Sequence, residues 1–364
     1  MKRLFSLLVL ALSFSAIFAQ QTTVALLNHE GTLTSFYGTN ALVDAHKAAV
    51  NGDIITLSGG SFAPVEFTKG LTVRGAGIIT DSTGTREITT INAEVVMNLS
   101  TKASIEFTDI FFSNGITYKG GNYNIENSTF NRCKIHNKMT SVTGIVNIYN
   151  CFIDNIEASG KSTSITTINI INSVVSGLNA GYQKYNKFNV TNSIIIYYIF
   201  NGSPRTPNYT ENTTFKNCIF TGVITEDKAI NYCYLPETTS ANNCISCFYA
   251  YTPETESEAA IYYSNIFQNI ANPNSTNINF SNANEVFKLY NGTTRVTDIS
   301  IHETFELTDA AKAILGTDGT EVGVHGGIGF NLAPTTLQIT KCEVAPKATK
   351  EGKLSVSIEV GISE

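Results

Sequence analysis

Residues able to do chemistry gather at three places in this chain. Arg132, Lys134 and His136 alternate along one short stretch, and Glu157 follows Lys134 by 23 residues, close to one internal repeat. A lysine held beside a carboxylate can position a sugar hydroxyl or take a proton from it. The same two groups as an exposed ion pair are worth only about 0 to 1 kcal/mol. Cys244-x-x-Cys247 has the spacing of a redox pair or half a zinc site. No second pair or His cluster accompanies it, and Cys244 falls in a recurrent slot for small residues, which favours a packed thiol. The third place is 224–260, where Tyr232, Tyr234, Tyr249 and Tyr251 precede Glu254, Glu256 and Glu258. Tyrosine rings on a projecting loop can stack on sugar faces and hydrogen-bond their hydroxyls; alternatively they pack the excursion onto its scaffold. The candidate substrate-binding residues are therefore these four tyrosines with Arg132, Lys134 and Glu157. No catalytic residue is assigned, and neither a metal nor a cofactor is expected.

The scaffold is legible in a repeat. The block apolar, x, apolar, x, Asn, Ser or Cys recurs with its Asn at Asn127, Asn150, Asn172, Asn192 and Asn217, at intervals of 23, 22, 20 and 25 residues. Alternating apolar residues such as Val146 and Ile148 mark a short strand with one face inward. Asn tolerates the left-handed conformation needed for a sharp bend into the next strand. Stacking such coils about 4.8 Å apart places each Asn over the next, as a ladder, with the Ser or Cys in the crowded corner. The pattern predicts an all-β chain forming a right-handed, single-stranded parallel β-helix, with Cys218 and Cys244 in one column of adjacent coils. A leucine-rich repeat shows a similar period, but Leu178 is the lone leucine between Ser100 and Tyr234. Strands of a membrane barrel would recur at half this period.

Composition narrows the setting. Charged residues are 15% of the chain and the formal charge is −6, a field that does not favour nucleic acid. Lys2 and Arg3 precede an apolar run ending at Ala16-Ile17-Phe18-Ala19, the pattern of a cleaved signal peptide. The run is too short for a retained membrane span. The expected location is secreted, periplasmic or cell-surface, and the chain is not expected to be an integral membrane protein. Seven cysteines in a chain this long do not form the disulfide framework of a small secreted domain. The predicted organisation is a signal peptide at 1–19, an N-terminal cap at 20–51 with a helix over 40–50, the β-helix at 52–333, and a C-terminal hairpin element at 334–364. The glycine-rich passage 316–329 is expected to be the exit from the array.

The entry through Gly52-Asp53-Ile54-Ile55-Thr56-Leu57 and Leu71-Thr72-Val73-Arg74-Gly75, taken with the repeats to about residue 291, resembles the pectin-lyase-like superfamily of β-helices. The resemblance implies secretion and polysaccharide as the partner. It carries over no catalytic residue: Pro204-Arg205-Thr206-Pro207 has the wrong order for the pectate lyase segment, and His325-Gly326-Gly327 only partly echoes the Gly-His-Gly of polygalacturonases. The expected function is thus a glycan-contacting binding or surface component. A lyase or hydrolase is the alternative, with an adhesin or structural surface protein third.

Overall fold

A computed structural model describes residues 23–80, 87–119, 124–158, 166–179, 186–199, 214–220, 240–242, 244–247, 278–280, 285–288, 305–333, 338–344 and 356–361. Tyr232, Tyr234, Tyr249 and Tyr251 lie outside these residues. The chain forms a parallel β-solenoid. Each coil gives one strand to a first sheet, bends, and gives the next to a second sheet. Ile125–Asn131, Ile145–Tyr149, Thr166–Ile171 and Asn186–Thr191 are successive neighbours in the first. Lys134–Val142, Phe152–Ala158, Val174–Asn179 and Ile194–Ile199 are successive neighbours in the second.

Strand alternation sends one set of side chains inward. Phe107, Phe130, Ile148, Ile170, Val190 and Phe215 are registered row on row and fully buried. Ile135, Ile153, Val175, Ile195 and Phe220 face them from the second sheet. Burial of each such side chain contributes about 1.5 to 3 kcal/mol.

The bend between the sheets recurs at Asp109, Arg132, Asn150, Asn172, Asn192 and Asn217, all at φ between 46° and 62°. Asn127 is not among them. It lies within Ile125–Asn131, opposite Ile145, so the first repeat is displaced by five residues from the sequence pattern. The cause is Ser128, which points inward in the row of Ile105 and Val146, where its hydroxyl bonds the buried Tyr118 hydroxyl at 2.6 Å. A polar residue at an inward position hides the strand. The true corner carries Arg132, whose guanidinium grips the carboxylate of Asp109 one coil earlier, at 2.8 and 3.1 Å.

From Arg132 onward each of these corners is followed by a fully buried small residue, Cys133, Cys151, Ser173, Ser193 and Cys218, and Cys244 continues the column, whereas Asp109 is followed by the buried Ile110. Ser173 and Ser193 donate to the carbonyls two residues back, at 2.8 Å. They accept N–H groups from the preceding coil: Cys151 to Ser173 at 3.1 Å and Ser173 to Ser193 at 3.2 Å. Cys133 likewise donates its N–H to the Cys151 sulfur at 3.3 Å. Cys218 and Cys244 occupy adjacent coils, since the residues after them, Ile219 and Ile245, are registered partners. Burial pushes the Cys133 and Cys218 thiols well up, so they remain protonated fillers.

Beyond the corner, Phe111, Phe152, Val174, Ile194, Ile219 and Ile245 project outward from the second sheet, interrupted by Lys134. The glycine-rich passage does not simply leave the array. Residues 305–333, which include a short helix, Asp309–Lys312, cover this apolar column with Phe305, Leu307, Val322 and Val324. The passage runs back along the corners: Thr317 N–H donates to Asn217 Oδ1 at 2.9 Å, Asn172 Nδ2 donates to the Val324 and Gly326 carbonyls at 2.8 and 2.6 Å, and Asn331 N–H donates to Asn150 Oδ1 at 3.1 Å. A Cβ on Gly326 would lie 2.5 Å from Asn192 Nδ2 and 1.9 Å from the Glu321 carbonyl oxygen. The passage is glycine-rich at that point because the backbone must come that close.

At the other end, an antiparallel hairpin, Val24–His29 with Thr32–Tyr37, precedes the expected helix, here α1 (Ala41–Ala48). Leu42 and Ala45 of α1 join the main core, and Lys69 closes the helix C-terminus by donating to the carbonyls of His46, Lys47 and Ala49 at 2.6 to 2.9 Å. Beyond the covering segment, Gln338–Val344 and Val356–Gly361 form an antiparallel pair.

Asn172→Leu should strand the Val324 and Gly326 carbonyls and strain the corner, lowering stability by about 1 to 3 kcal/mol and raising protease cleavage within 316–333; an unchanged urea midpoint would contradict the clamp. A second outcome concerns acid. His46 is buried on the Phe67 ring and accepts the Thr68 N–H at 3.2 Å through Nε2, and burial first, then Lys69, lowers its pKa to about 4. The unfolded chain takes up this proton near pH 6.5 and the folded chain only near 4. Stability should therefore fall between those values by about 1 to 3 kcal/mol, and His46→Gln should flatten that part of the profile in denaturant titrations.

Candidate functional site

The three charged residues singled out by the sequence do not form one site. Arg132 is 7% exposed and Asp109 is fully buried. Their two-point contact is an internal tie between corners, with no face toward solvent for a ligand. Lys134 is registered with Phe111 and Phe152, and its Nζ sits 5.6 Å from the Phe111 ring centre. It is not stacked on Glu157. The coil from corner to corner is 18 residues here, Arg132 to Asn150, rather than 23, so Glu157 instead meets Lys138 at 3.4 Å.

Lys138 and Glu157 belong to an open strip formed where the later part of the second-sheet strands faces outward. Glu66–Phe67, Val95–Met97 and Ile116–Tyr118 lead into the later part of Lys134–Val142. Their inward residues Val95, Ile116, Met139 and Ile156 are fully buried, so the residues between them must face out. Along the strip Lys119 meets Glu66 at 3.2 Å, Asn98 donates to the same Glu66 oxygen at 2.5 Å, Thr117 donates to Glu94, and the Thr117 and Thr140 hydroxyls lie 2.7 Å apart. At its border the half-exposed His136 has Nε2 3.7 Å from an Asp154 oxygen that also accepts the Asn137 N–H at 2.8 Å. The strip thus offers alternating carboxylate, hydroxyl, amide and ammonium groups on successive coils.

Its electrostatics suit binding. The Asn98 amide, then Lys119, holds the Glu66 carboxyl below the ordinary carboxylate range. An ionised carboxylate accepts hydrogen bonds from hydroxyls, whereas a glycosidase acid has to keep its proton near neutral pH. A shallow depression of about 540 Å³ lies elsewhere, lined by Glu306, Lys312, Thr320, Glu321 and His325. There Lys312 reaches Glu306 at 3.5 Å and Glu321 at 3.6 Å, and the Lys288 ammonium lowers the Glu306 pKa. Among the described residues no group of three or more His, Cys, Asp or Glu is placed to hold a metal ion, and no helix is long and apolar enough to cross a membrane.

One polar array escapes the sequence analysis. Asn147, Asn169 and Asn189 stand between inward residues on three successive first-sheet strands, and their amides form a hydrogen-bonded ladder, Asn169 to Asn147 at 2.9 Å and Asn189 to Asn169 at 2.8 Å. Its signal is an Asn in the middle of Val146-x-Ile148, Ile168-x-Ile170 and Phe188-x-Val190. The corner Asn drew attention away from it. Searches of protein-family models, curated proteins and solved structures find no match to this chain.

Stability should separate the internal tie from the strip. Arg132→Ala takes the guanidinium away from the buried Asp109 carboxylate, at a cost of about 3 to 5 kcal/mol. Lys138→Ala removes an exposed pair and should cost no more than about 1 kcal/mol. Comparable losses for the two variants in chemical denaturation would overturn this assignment.

Proposed function

We propose that this chain is an exported, right-handed β-helix related to the pectin-lyase-like proteins, and that it contacts polysaccharide as a binding or surface component. The right hand follows from the general preference of parallel strand crossovers, and export from the basic and apolar leader. Helix α1 serves as the cap of the first coils. The observation that carries the functional reading is the solvent-facing strip of Glu66, Glu94, Thr117, Thr140, Lys138 and Glu157, whose partners repeat from coil to coil as the hydroxyls of an extended glycan repeat from sugar to sugar. Tyr232, Tyr234, Tyr249 and Tyr251 supply the stacking surfaces in this reading, each ring worth about 0.5 to 1.5 kcal/mol beyond its area. A binding role is put before a lyase or hydrolase because the chain carries neither enzyme's catalytic segment and the strip's Glu66 and Glu157 are each engaged by a lysine, at 3.2 and 3.4 Å.

Affinity electrophoresis against a panel of neutral and acidic polysaccharides tests this. At least one polymer should retard the protein, and Lys138→Ala with Glu157→Gln should weaken that retardation about tenfold while the thermal midpoint stays within a few degrees. Failure of every polymer to retard the native protein would refute glycan contact. Release of new reducing ends or unsaturated sugars from a retarding polymer would replace the binding role with the enzymatic one.

A further inference from the structure

Among the described residues, the first sheet ends on a strand that carries none of the usual protections of an edge. Thr32–Tyr37 is bonded on its inner side to Val24–His29 over six positions and terminates the sheet. Natural edges are blunted with charges, proline, bulges or a covering element. This strand, Thr-Leu-Thr-Ser-Phe-Tyr, holds no charge and no proline, its pairing runs without a bulge, and all its residues except Phe36 are exposed. Leu33 and Tyr37 are 60% and 67% exposed, and they share the outer face with Ser35 between them.

We infer that Thr32–Tyr37 is a self-association surface at which two copies of this chain join their first sheets edge to edge in an antiparallel, two-fold pair. The strand is self-complementary in the register this symmetry requires. A two-fold axis normal to the sheet keeps the faces of both copies aligned, so residues of like parity oppose one another. With the axis through Ser35, Leu33 of each copy lies opposite Tyr37 of the other, and Ser35 opposes its own equivalent. The two most exposed apolar side chains of the strand therefore cover each other twice, with a small residue at the centre where the backbones approach. Thr34 opposes Phe36 on the core side. No charged residue of the strand meets a like charge across the axis, although the chain carries a net −6. A foreign strand would satisfy the same backbone groups, but it would not by necessity bring two matched apolar pairs; a second copy does.

Sedimentation of the purified protein over a range of concentrations should show a monomer–dimer equilibrium. Ser35→Lys sets two ammonium groups against each other at the axis and should yield monomer with unchanged circular dichroism and denaturation midpoint. Ser35→Cys provides the independent check. Opposed antiparallel residues have Cα atoms about 4.5 to 5.5 Å apart, within the disulfide range of about 4.4 to 6.8 Å. The two introduced thiols should therefore couple to a disulfide, their two electrons and two protons passing to oxidised glutathione, and give a covalent dimer. Asn51→Cys and the native protein, treated alike, should not. A native protein that sediments as monomer throughout, a Ser35→Lys variant that remains dimeric, or cross-linking no greater than in the controls would each overturn the proposal.

Discussion

One backbone constraint supports the rest of the solenoid: at the corners from Asp109 to Asn217 each coil passes between its two strands through a residue at positive φ, followed from Arg132 onward by a side chain small enough to sit inside the bend. An ordinary residue resists that conformation, while Asn accepts it because its short amide bonds locally. Asn150, Asn172, Asn192 and Asn217 meet the demand individually. Asp109 and Arg132 meet it as a pair, each corner held by the other through the charge contact. The small residue then does more than fit. Its hydroxyl or thiol receives the neighbouring coil's N–H at the point where both strands turn and ordinary sheet pairing is interrupted. The stack is therefore fixed in register at its sharpest place. A slip of one residue would turn the inward row of Ile148 and Ile170 to solvent.

The same corner decides what each flank needs. Because the residue after the small one must point outward, a solenoid of this sequence presents Phe152, Val174, Ile194 and Ile219 as an apolar column on its exterior. Water does not tolerate such a column well, and the chain returns 305–333 to cover it. The covering segment is held by two kinds of contact: Phe330 and Phe305 against Phe152, and main-chain bonds to the corner amides. The corner Asn side chains thus serve the returning segment more than one another. The amide contact within that column is Asn217 to Asn192, at 3.2 Å.

These contacts explain which parts were legible in the sequence. Where a coil uses Asn at the corner, a small residue after it and apolar residues before it, as from Val146 to Cys151, the local pattern and the global role coincide. The coil ending at Arg132 breaks all but one of these rules and is sound only through distant groups, the Tyr118 hydroxyl for Ser128 and the Asp109 carboxylate for Arg132. A repeat search therefore shifts it by five residues, and the proposed stacking of Lys134 on Glu157 fails with it. The glycine-rich passage stood out by composition, but its place did not, because its partners Asn172 and Asn150 lie more than 150 residues away in the chain. Nothing local in Gly326 names Asn192 as its neighbour.

Strength of internal contact also bears on where a ligand can act. The corners, the inward rows and the covered flank are committed: removing one group there leaves a buried charge, an unmet carbonyl or a void. The ion pairs of the strip are different. Lys138 and Glu157 are each about half exposed, as are Lys119 and Glu66, and such pairs contribute little to stability. Exchanging them for the hydroxyls of a glycan costs the fold little, while the rigid stack behind them keeps the replaced groups at fixed spacing. A polymer meeting several such positions gains from each in turn without ordering the protein further, the condition under which weak single contacts accumulate into useful affinity. The functional proposal therefore rests on the part of the surface with the weakest hold on itself, mounted on the part with the strongest.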